Sequence, residues 1–188
     1  MKPGDHPEFF RFPAPEGRSR ESTIRLDGEG RFWHEGNLVE HAKLAQAMHG
    51  WVDRHPDDGR FILTNGYDWT YFTVEDAPYF VRSVRPTEDA VLLELSDGSE
   101  EAWDPSRARI GANEAIYTPV KAGKAHGPYE AKFTRYAQAQ LGPLLVEGPA
   151  SQEAPSPGAA SPGAPSAGGG GAGVPGVRVG GRVVRIGA

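Results

Sequence analysis

The chain has 188 residues, no cysteine and a formal net charge of −5. That length holds one ordinary domain or two small ones. The missing cysteines exclude disulfides and thiolate metal sites, and the acidic balance weighs against a general nucleic-acid binder, which would show a basic face.

Met1 to Glu21 is rich in proline, glycine and charge, with Phe9, Phe10 and Phe12 as its large apolar residues. It reads as a flexible arm, residues 1–21, able to lay an aromatic on the core. Thr23 to Leu26 is a short strand, Asp27-Gly28-Glu29-Gly30 turns it, and Arg31 to His34 returns. A helix follows. Asn37 reads as its cap, with Glu40 three residues on as a variant capping box. Leu44, Met48, Trp51 and Val52 recur at helical spacing, and the helix should end near Arg54, before His55-Pro56.

Phe61 to Val81 is the most apolar and aromatic run in the chain. Asn65-Gly66 tolerates positive φ at both central turn positions, so the run reads as a β-hairpin at the centre of a sheet. Pro78 ends its second arm, since proline cannot donate to a central ladder. Strands are then predicted at Tyr79 to Val84, Ala90 to Leu95, Glu100 to Trp103 and Ala115 to Val120, with Asp97-Gly98 as a turn. Pro128 to Phe133 is extended or transitional. Thr134 to Leu141 is a second helix with Tyr136, Ala137 and Leu141 inward, stopped by Gly142-Pro143.

From Ser151 to Gly173 the chain is almost wholly Ser, Pro, Ala and Gly, which cannot offset its ordering entropy. Residues 148–188 therefore read as a low-complexity, disordered tail that adds nothing to the core. At its end, Val177 to Ile186 has the pattern of a hairpin turned at Gly180-Gly181, carrying Arg178, Arg182 and Arg185. An isolated hairpin of this kind is marginal in water.

A faint echo links Asp27-Gly28 and Trp33 with Asp97-Gly98 and Trp103. A second links Leu63-Thr64 and Phe72-Thr73 with Tyr117-Thr118 and Phe133-Thr134. The predicted fold is α+β: two small related halves, 22–85 and 86–147, mainly antiparallel, with one helix each and the disordered tail behind. The expected core includes Ile24, Trp33, Leu44, Met48, Phe61, Leu63, Phe72, Tyr79, Leu93 and Trp103.

No stretch compels a reaction. His34-Glu35 begins like a zinc-protease helix, but position 38 is Leu38 and Gly36 breaks the pattern. Asp53 to Thr64 has oxygen ligands in the manner of a calcium loop, but lacks its glycine and its closing glutamate. Neither a phosphate-binding glycine loop nor a nucleophile elbow is present. Glu75 and Asp76 are adjacent, so on a strand they would face opposite ways. No cofactor and no metal site is predicted.

With these residues in view, the chain resembles the bacterial family called domain of unknown function 1285. The matching segments are Ile24-Arg25-Leu26-Asp27-Gly28, Trp33-His34-Glu35-Gly36, Phe61-Ile62-Leu63-Thr64 and Val74-Glu75-Asp76-Ala77-Pro78-Tyr79. Asn65-Gly66-Tyr67-Asp68 and Glu130-Ala131-Lys132-Phe133 depart from the family's usual residues. The resemblance implies two structurally related α+β halves and a role in signalling or small-ligand sensing. It brings no catalytic residues.

The functional expectation is a non-enzymatic ligand-binding or signalling module. Its site is predicted where Trp33, His34 and Glu35 meet Tyr67, Asp68 and Trp69, with Glu75 and Asp76 beside them. Aromatic faces with carboxylates and a histidine suit a small polar or cationic ligand. Two alternatives stay open: an enzyme using His34 or Glu35 as acid-base groups, and an adaptor whose protein partner reads the C-terminal tail. Nucleic acid is not an expected partner. No apolar run reaches membrane-spanning length and the first residues lack a signal-peptide core, so a cytoplasmic location is expected.

Overall fold

The computed structural model describes residues 1–146, 175–179 and 182–187. The Ser151 to Gly173 stretch and the Gly180-Gly181 turn lie outside the described residues.

The first half is a six-stranded sheet of β1 (Glu21–Leu26), β2 (Phe32–His34), β3 (Asn37–Leu38), β4 (Val52–Arg54), β5 (Phe61–Thr64) and β6 (Trp69–Val74), with α1 (Ala42–Gly50) between β3 and β4. Their spatial order is β3-β2-β1-β6-β5-β4. Two antiparallel meanders run outward from a central parallel pair, β1 with β6.

The second half repeats that plan. It holds β7 (Tyr79–Pro86), β8 (Val91–Leu95), β9 (Glu100–Ala102), β10 (Arg109–Ile110), β11 (Ile116–Val120) and β12 (Tyr129–Phe133), in the order β10-β11-β12-β7-β8-β9. Its central parallel pair is β12 with β7. The helix α2 (Arg135–Leu141) follows β12, capped by the Thr134 hydroxyl, which accepts from the Ala137 amide. Two related halves, mainly antiparallel, each with one helix, are what the pattern predicted.

Their boundary is not where the sequence put it. The strand Tyr79–Pro86, assigned to the first half, is the central strand of the second sheet, and the link between halves is Glu75 to Pro78. Of the two echoes, Leu63-Thr64 and Phe72-Thr73 fall on β5 and β6, whose topological counterparts β11 and β12 carry Tyr117-Thr118 and Phe133. The other echo does not align: Asp27-Gly28 joins β1 to β2, whereas Asp97-Gly98 joins β8 to β9.

The helix of the first half starts and ends differently from its prediction. Glu35 and Gly36 take φ of 50° and 78°, a two-residue hairpin turn with positive φ at both positions. The turn pairs His34 with Asn37 and Trp33 with Leu38, so Asn37 is a strand residue and not a helix cap. The cap is His41, whose Nδ1 accepts from the Leu44 amide at 3.2 Å. The helix stops at Gly50 because Val52 pairs with Leu63 in the sheet. The shorter, rotated helix buries Met48 and His49 and leaves Leu44 43% exposed, so Leu44 is not core.

One continuous apolar core joins Leu26, Phe32, Met48 and Val52 of the first half to Tyr79, Phe80, Leu95 and Tyr129 of the second. Leu63, Phe72, Leu93 and Trp103 are buried in it as predicted, whereas Ile24 and Phe61 only pack against its edge. Trp33 is half-buried and Tyr136 is exposed, both against expectation. His49 sits in the core, its ring 4.8 Å from Phe32 and 6.3 Å from Phe80, with Nε2 at 3.2 Å from the Gly30 carbonyl.

Two peripheral segments also join the fold. Phe10 of the N-terminal arm is buried with Ile62 and Trp69, and Arg11 makes a bidentate pair with Asp57. At the other end, β13 (Leu145–Val146), β14 (Gly176–Val179) and β15 (Arg182–Arg185) form a small antiparallel sheet. Val177 and Ile186 are buried in the main core, and the Gly187 amide donates to the Pro105 carbonyl. Val177 and Ile186 of the tail thus do contribute to the core. A hairpin that is marginal alone gains from burying its apolar side on a finished sheet.

Candidate functional site

The pleat decides where the predicted site residues go, because neighbours on a strand face opposite sides. On β2, Phe32 and His34 face α1, while Trp33 faces away. His34 therefore lines a cleft of about 330 Å³ between α1 and the sheet. Its walls are Ile24, Val39, Leu44, Met48, Trp51 and Leu63, with Asn65 and Asp68 at the far rim. Asp68 is held by Arg20 at 2.6 Å. Partial burial pushes the Asp68 carboxyl up, but hydrogen bonds from Arg20 and the Trp69 amide outweigh it and keep the group below its ordinary range.

The other predicted residues lie elsewhere. Trp33 is on the opposite face, its indole N–H donating to Asp27 at 2.8 Å and its ring covered by Arg25, which pairs with Glu75 at 2.6 Å. Trp69 borders the cleft, but its ring packs beneath the N-terminal arm against Phe10, His55 and Tyr71. Tyr67 and Glu35 are exposed at two separate turns. Asp76 faces the second half, taking the Tyr117 hydroxyl at 3.0 Å and Lys132 Nζ at 2.7 Å. The eight residues thus scatter over a cleft, an outer sheet face, two exposed turns, the patch beneath the N-terminal arm and the boundary between halves.

A cluster at that boundary went unread in the sequence. β4 carries Asp53 to the loop between β11 and β12. Asp53 Oδ1 accepts from the Tyr129 hydroxyl at 2.6 Å and the Arg54 amide at 2.7 Å, and lies 2.9 Å from His126 Nδ1. Lys124 Nζ donates to the Val52 carbonyl and, at 3.1 Å, to the Tyr79 hydroxyl. Lys121 pairs with Asp97 at 2.7 Å and Glu101 at 3.7 Å.

Burial acts against the charged forms of Asp53, Asp97, Tyr79, Tyr129 and Lys124, and their partners decide each outcome. Burial drives the Tyr79 and Tyr129 hydroxyls well above their ordinary range, reinforced by Asp97 at Tyr79 and by Asp53 at Tyr129. Burial also opposes ionisation of Asp53 and Asp97, but hydrogen bonds from Tyr129 and His126, and from Lys121 and Ser99, hold both carboxyls low. Burial lowers Lys124. Asp53 and His126 are 73 residues apart and Asp53 and Tyr129 are 76 apart, so no local spacing announces the cluster.

Two internally related, mainly antiparallel six-stranded sheets sharing one core define an α+β protein of repeated halves. That fold is seen in the crystal structure of a DUF1285 family protein from Silicibacter pomeroyi DSS-3, with a TM-score of 0.59 and 15% identity over 94% of this chain and 91% of that chain. A DUF1285 family protein from Shewanella baltica OS155 gives a TM-score of 0.49 and 17% identity over 62% of this chain and 87% of that one. No family model and no curated protein matches the chain. The fold therefore agrees with the family resemblance read from the sequence. Among the described residues, no helix is long and apolar enough to cross a membrane.

Proposed function

We propose that the chain is a non-enzymatic binding module whose small ligand seats in the cleft between α1 and the first sheet. The observation that carries this reading is the cleft's composition. An opening of about 330 Å³ has seven apolar lining residues and four polar ones, His34, Asn65, Asp68 and Thr70. Small-molecule sites have this character: apolar walls give affinity and a few polar groups fix orientation. Asp68 uses Oδ1 for Arg20 and the Trp69 amide, and its side chain is 66% exposed at the rim, which suits a ligand with an apolar body and a cationic or polar head. Such a module would serve small-ligand sensing or signalling. The acid-base alternative gains nothing from the geometry, since His34 faces the cleft while Glu35 occupies the exposed turn beyond it. The tail-adaptor alternative gains no specific support, because the hairpin turns Val177 and Ile186 into the core.

The test is a thermal-shift screen of the full chain against small amines with apolar substituents, alongside their uncharged analogues. Leu44→Lys places a cation on the cleft wall, repelling an amine, at a site that is already 43% exposed, so folding should persist. The reading expects amines that raise the melting temperature of the parent and leave Leu44→Lys unshifted. Hits that stabilise both proteins equally would place binding elsewhere and sink it.

A further inference from the structure

The loop from Lys121 to Gly127 crosses from the second half onto β4 of the first. Its Lys124 is a wall shared by two cavities. One, of about 480 Å³, is bounded by Tyr79, Asp97, Glu101 and Lys121; the other, of about 280 Å³, by Lys2, Trp51, Asp53 and Asn65. The Lys124 amine is therefore reachable, and the binding reading of the α1 cleft makes no use of it.

Its surroundings are unusual for a lysine. Both of its hydrogen-bond acceptors are uncharged, the Val52 carbonyl and the Tyr79 hydroxyl. The neighbouring carboxylates are already engaged: Asp97 and Glu101 by Lys121, and Asp53 by Tyr129 and His126. The Tyr79 and Tyr129 rings stand 5.9 Å and 5.6 Å from Nζ and cover it in part, leaving its remaining side to the cavity. Burial, helped by the adjacent Lys121 cation and opposed by Asp53 and Asp97, lowers the pKa of this amine. A desolvated lysine beside a second cation has more of the free-base form that attacks carbonyl carbon.

We propose that Lys124 is a reactive amine that captures a small, uncharged aldehyde or ketone as an imine in the cavity of about 480 Å³. The ammonium first gives a proton to solvent in the open cavity. The Nζ lone pair then attacks the carbonyl carbon. The C=O π pair moves to oxygen, which takes up a proton while the nitrogen gives one up to solvent, leaving the neutral carbinolamine with a lone pair on nitrogen. That hydroxyl leaves with a further proton as water, and the nitrogen lone pair closes the C=N bond. The net change is ammonium plus carbonyl compound to protonated imine plus one water, with nothing oxidised or reduced. The Tyr79 hydroxyl, 3.1 Å from Nζ and kept neutral by burial, stands where it can exchange a hydrogen bond with the new oxygen. Asp97 and Glu101, although both paired with Lys121, keep that wall acidic and disfavour an anionic oxo acid.

The experiment treats the full chain with propanal and cyanoborohydride near neutral pH, which fixes imines as stable secondary amines. Peptide mass mapping at short times then gives a rate for each lysine. Lys124 should be alkylated at least tenfold faster than the exposed Lys43, and pyruvate should label it more slowly than propanal does. The Lys124→Gln variant should lose the fast adduct and keep the slow ones. Labelling of Lys124 no faster than Lys43 would overturn the proposal and leave Lys124 as a cation that pins the loop. Pyruvate labelling as fast as propanal would overturn the selectivity for neutral compounds. Should Lys124→Gln fail to fold, the lysine-by-lysine rates of the parent protein still decide the outcome.

Discussion

The two halves share one strand order and differ in what covers their sheets. In the first, the link between third and fourth strands is α1, a nine-residue helix. In the second, the same link contains only the Pro105–Arg107 turn, and the helix comes after the last strand, packed against β7. The C-terminal hairpin meets that turn, with Gly187 bonded to Pro105 and with Val177 and Ile186 buried. A sheet face needs an apolar cover whatever supplies it. In the second half, helix and hairpin together close the core. In the first, one short helix covers the sheet incompletely and leaves the cleft. The ligand-sized opening is thus a consequence of where the helix was placed within a repeated plan.

The comparison is broken most severely at the core both halves share. Phe32 is fully buried and meets Phe72 of its own half and, through His49, Phe80 of the other. Phe32→Ala should cost about 3–5 kcal/mol, as deletion of a large buried ring typically does. One cooperative urea transition should shift as a whole, seen equally by Trp51 and Trp103 fluorescence. Separate transitions would mean that the halves fold independently, contrary to their continuous core.

The first half also contributes the acid-sensitive element. Burial lowers the pKa of His49 from 6.5 to about 4, with the Gly30 carbonyl opposing the shift and Arg82 adding to it. In the unfolded chain the histidine accepts a proton near its ordinary pKa; in the folded chain it resists until about 4. The unfolded state therefore binds more protons between those values, and stability falls as pH drops through that window. The His49 share of the loss is about 3 kcal/mol once pH is below both values. Urea midpoints of the parent and of His49→Leu, measured from pH 7 to pH 4, should diverge in slope by that amount. Parallel slopes would show that His49 does not titrate as a buried neutral ring.

The hairpin is the second half's counterpart of the helix, and it can be removed. Deleting residues 175–188 uncovers the core beside the Pro105–Arg107 turn and should cost about 2–3 kcal/mol, the burial of Val177 and Ile186 less the cost of ordering the hairpin. Replacing residues 147–174 with a short turn should cost far less, since Val146 and Gly176 are already paired neighbours. Equal melting temperatures for the parent and the 175–188 deletion would show that the hairpin does not close the second half in solution.

Much of this was legible from local signals. Asn65-Gly66 and Asp97-Gly98 fall in turns, although Asn65 to Asp68 forms a four-residue loop with positive φ at Gly66 and not at Asn65, and apolar and aromatic runs marked β5 to β8. The central parallel pairs were not legible, because β1 and β6, and β7 and β12, meet across roughly fifty residues and no periodicity records a partner. The same limit hid the Asp53, Lys124, His126 and Tyr129 cluster. The helix was misread for a different reason. Asn37 has the chemistry of a cap, yet the Glu35-Gly36 turn uses it in a ladder, and a tertiary pairing overrides a local preference. The predicted site residues do not gather in one place, because side-chain alternation sends Trp33 and His34 to opposite faces of one strand.

The smallest effect tests that misreading at Leu44. A helix running to Arg54 would point Leu44 inward, and its truncation would cost about 2–5 kcal/mol. The observed helix, capped at His41 and ended by the pairing of Val52 with Leu63, turns Leu44 to the wall of an open cleft. A side chain still 43% exposed has little burial to lose and leaves no closed cavity behind. Leu44→Ala should therefore lower stability by less than about 1 kcal/mol, within the range of ordinary surface changes. The same substitution widens the cleft and removes part of its apolar wall, so affinity for an amine found in the screen should fall several-fold. Stability and binding are thus expected to separate at this residue. A loss of 2 kcal/mol or more at Leu44, read from urea midpoints, would restore the long helix and close the cleft, and with it the proposed ligand site.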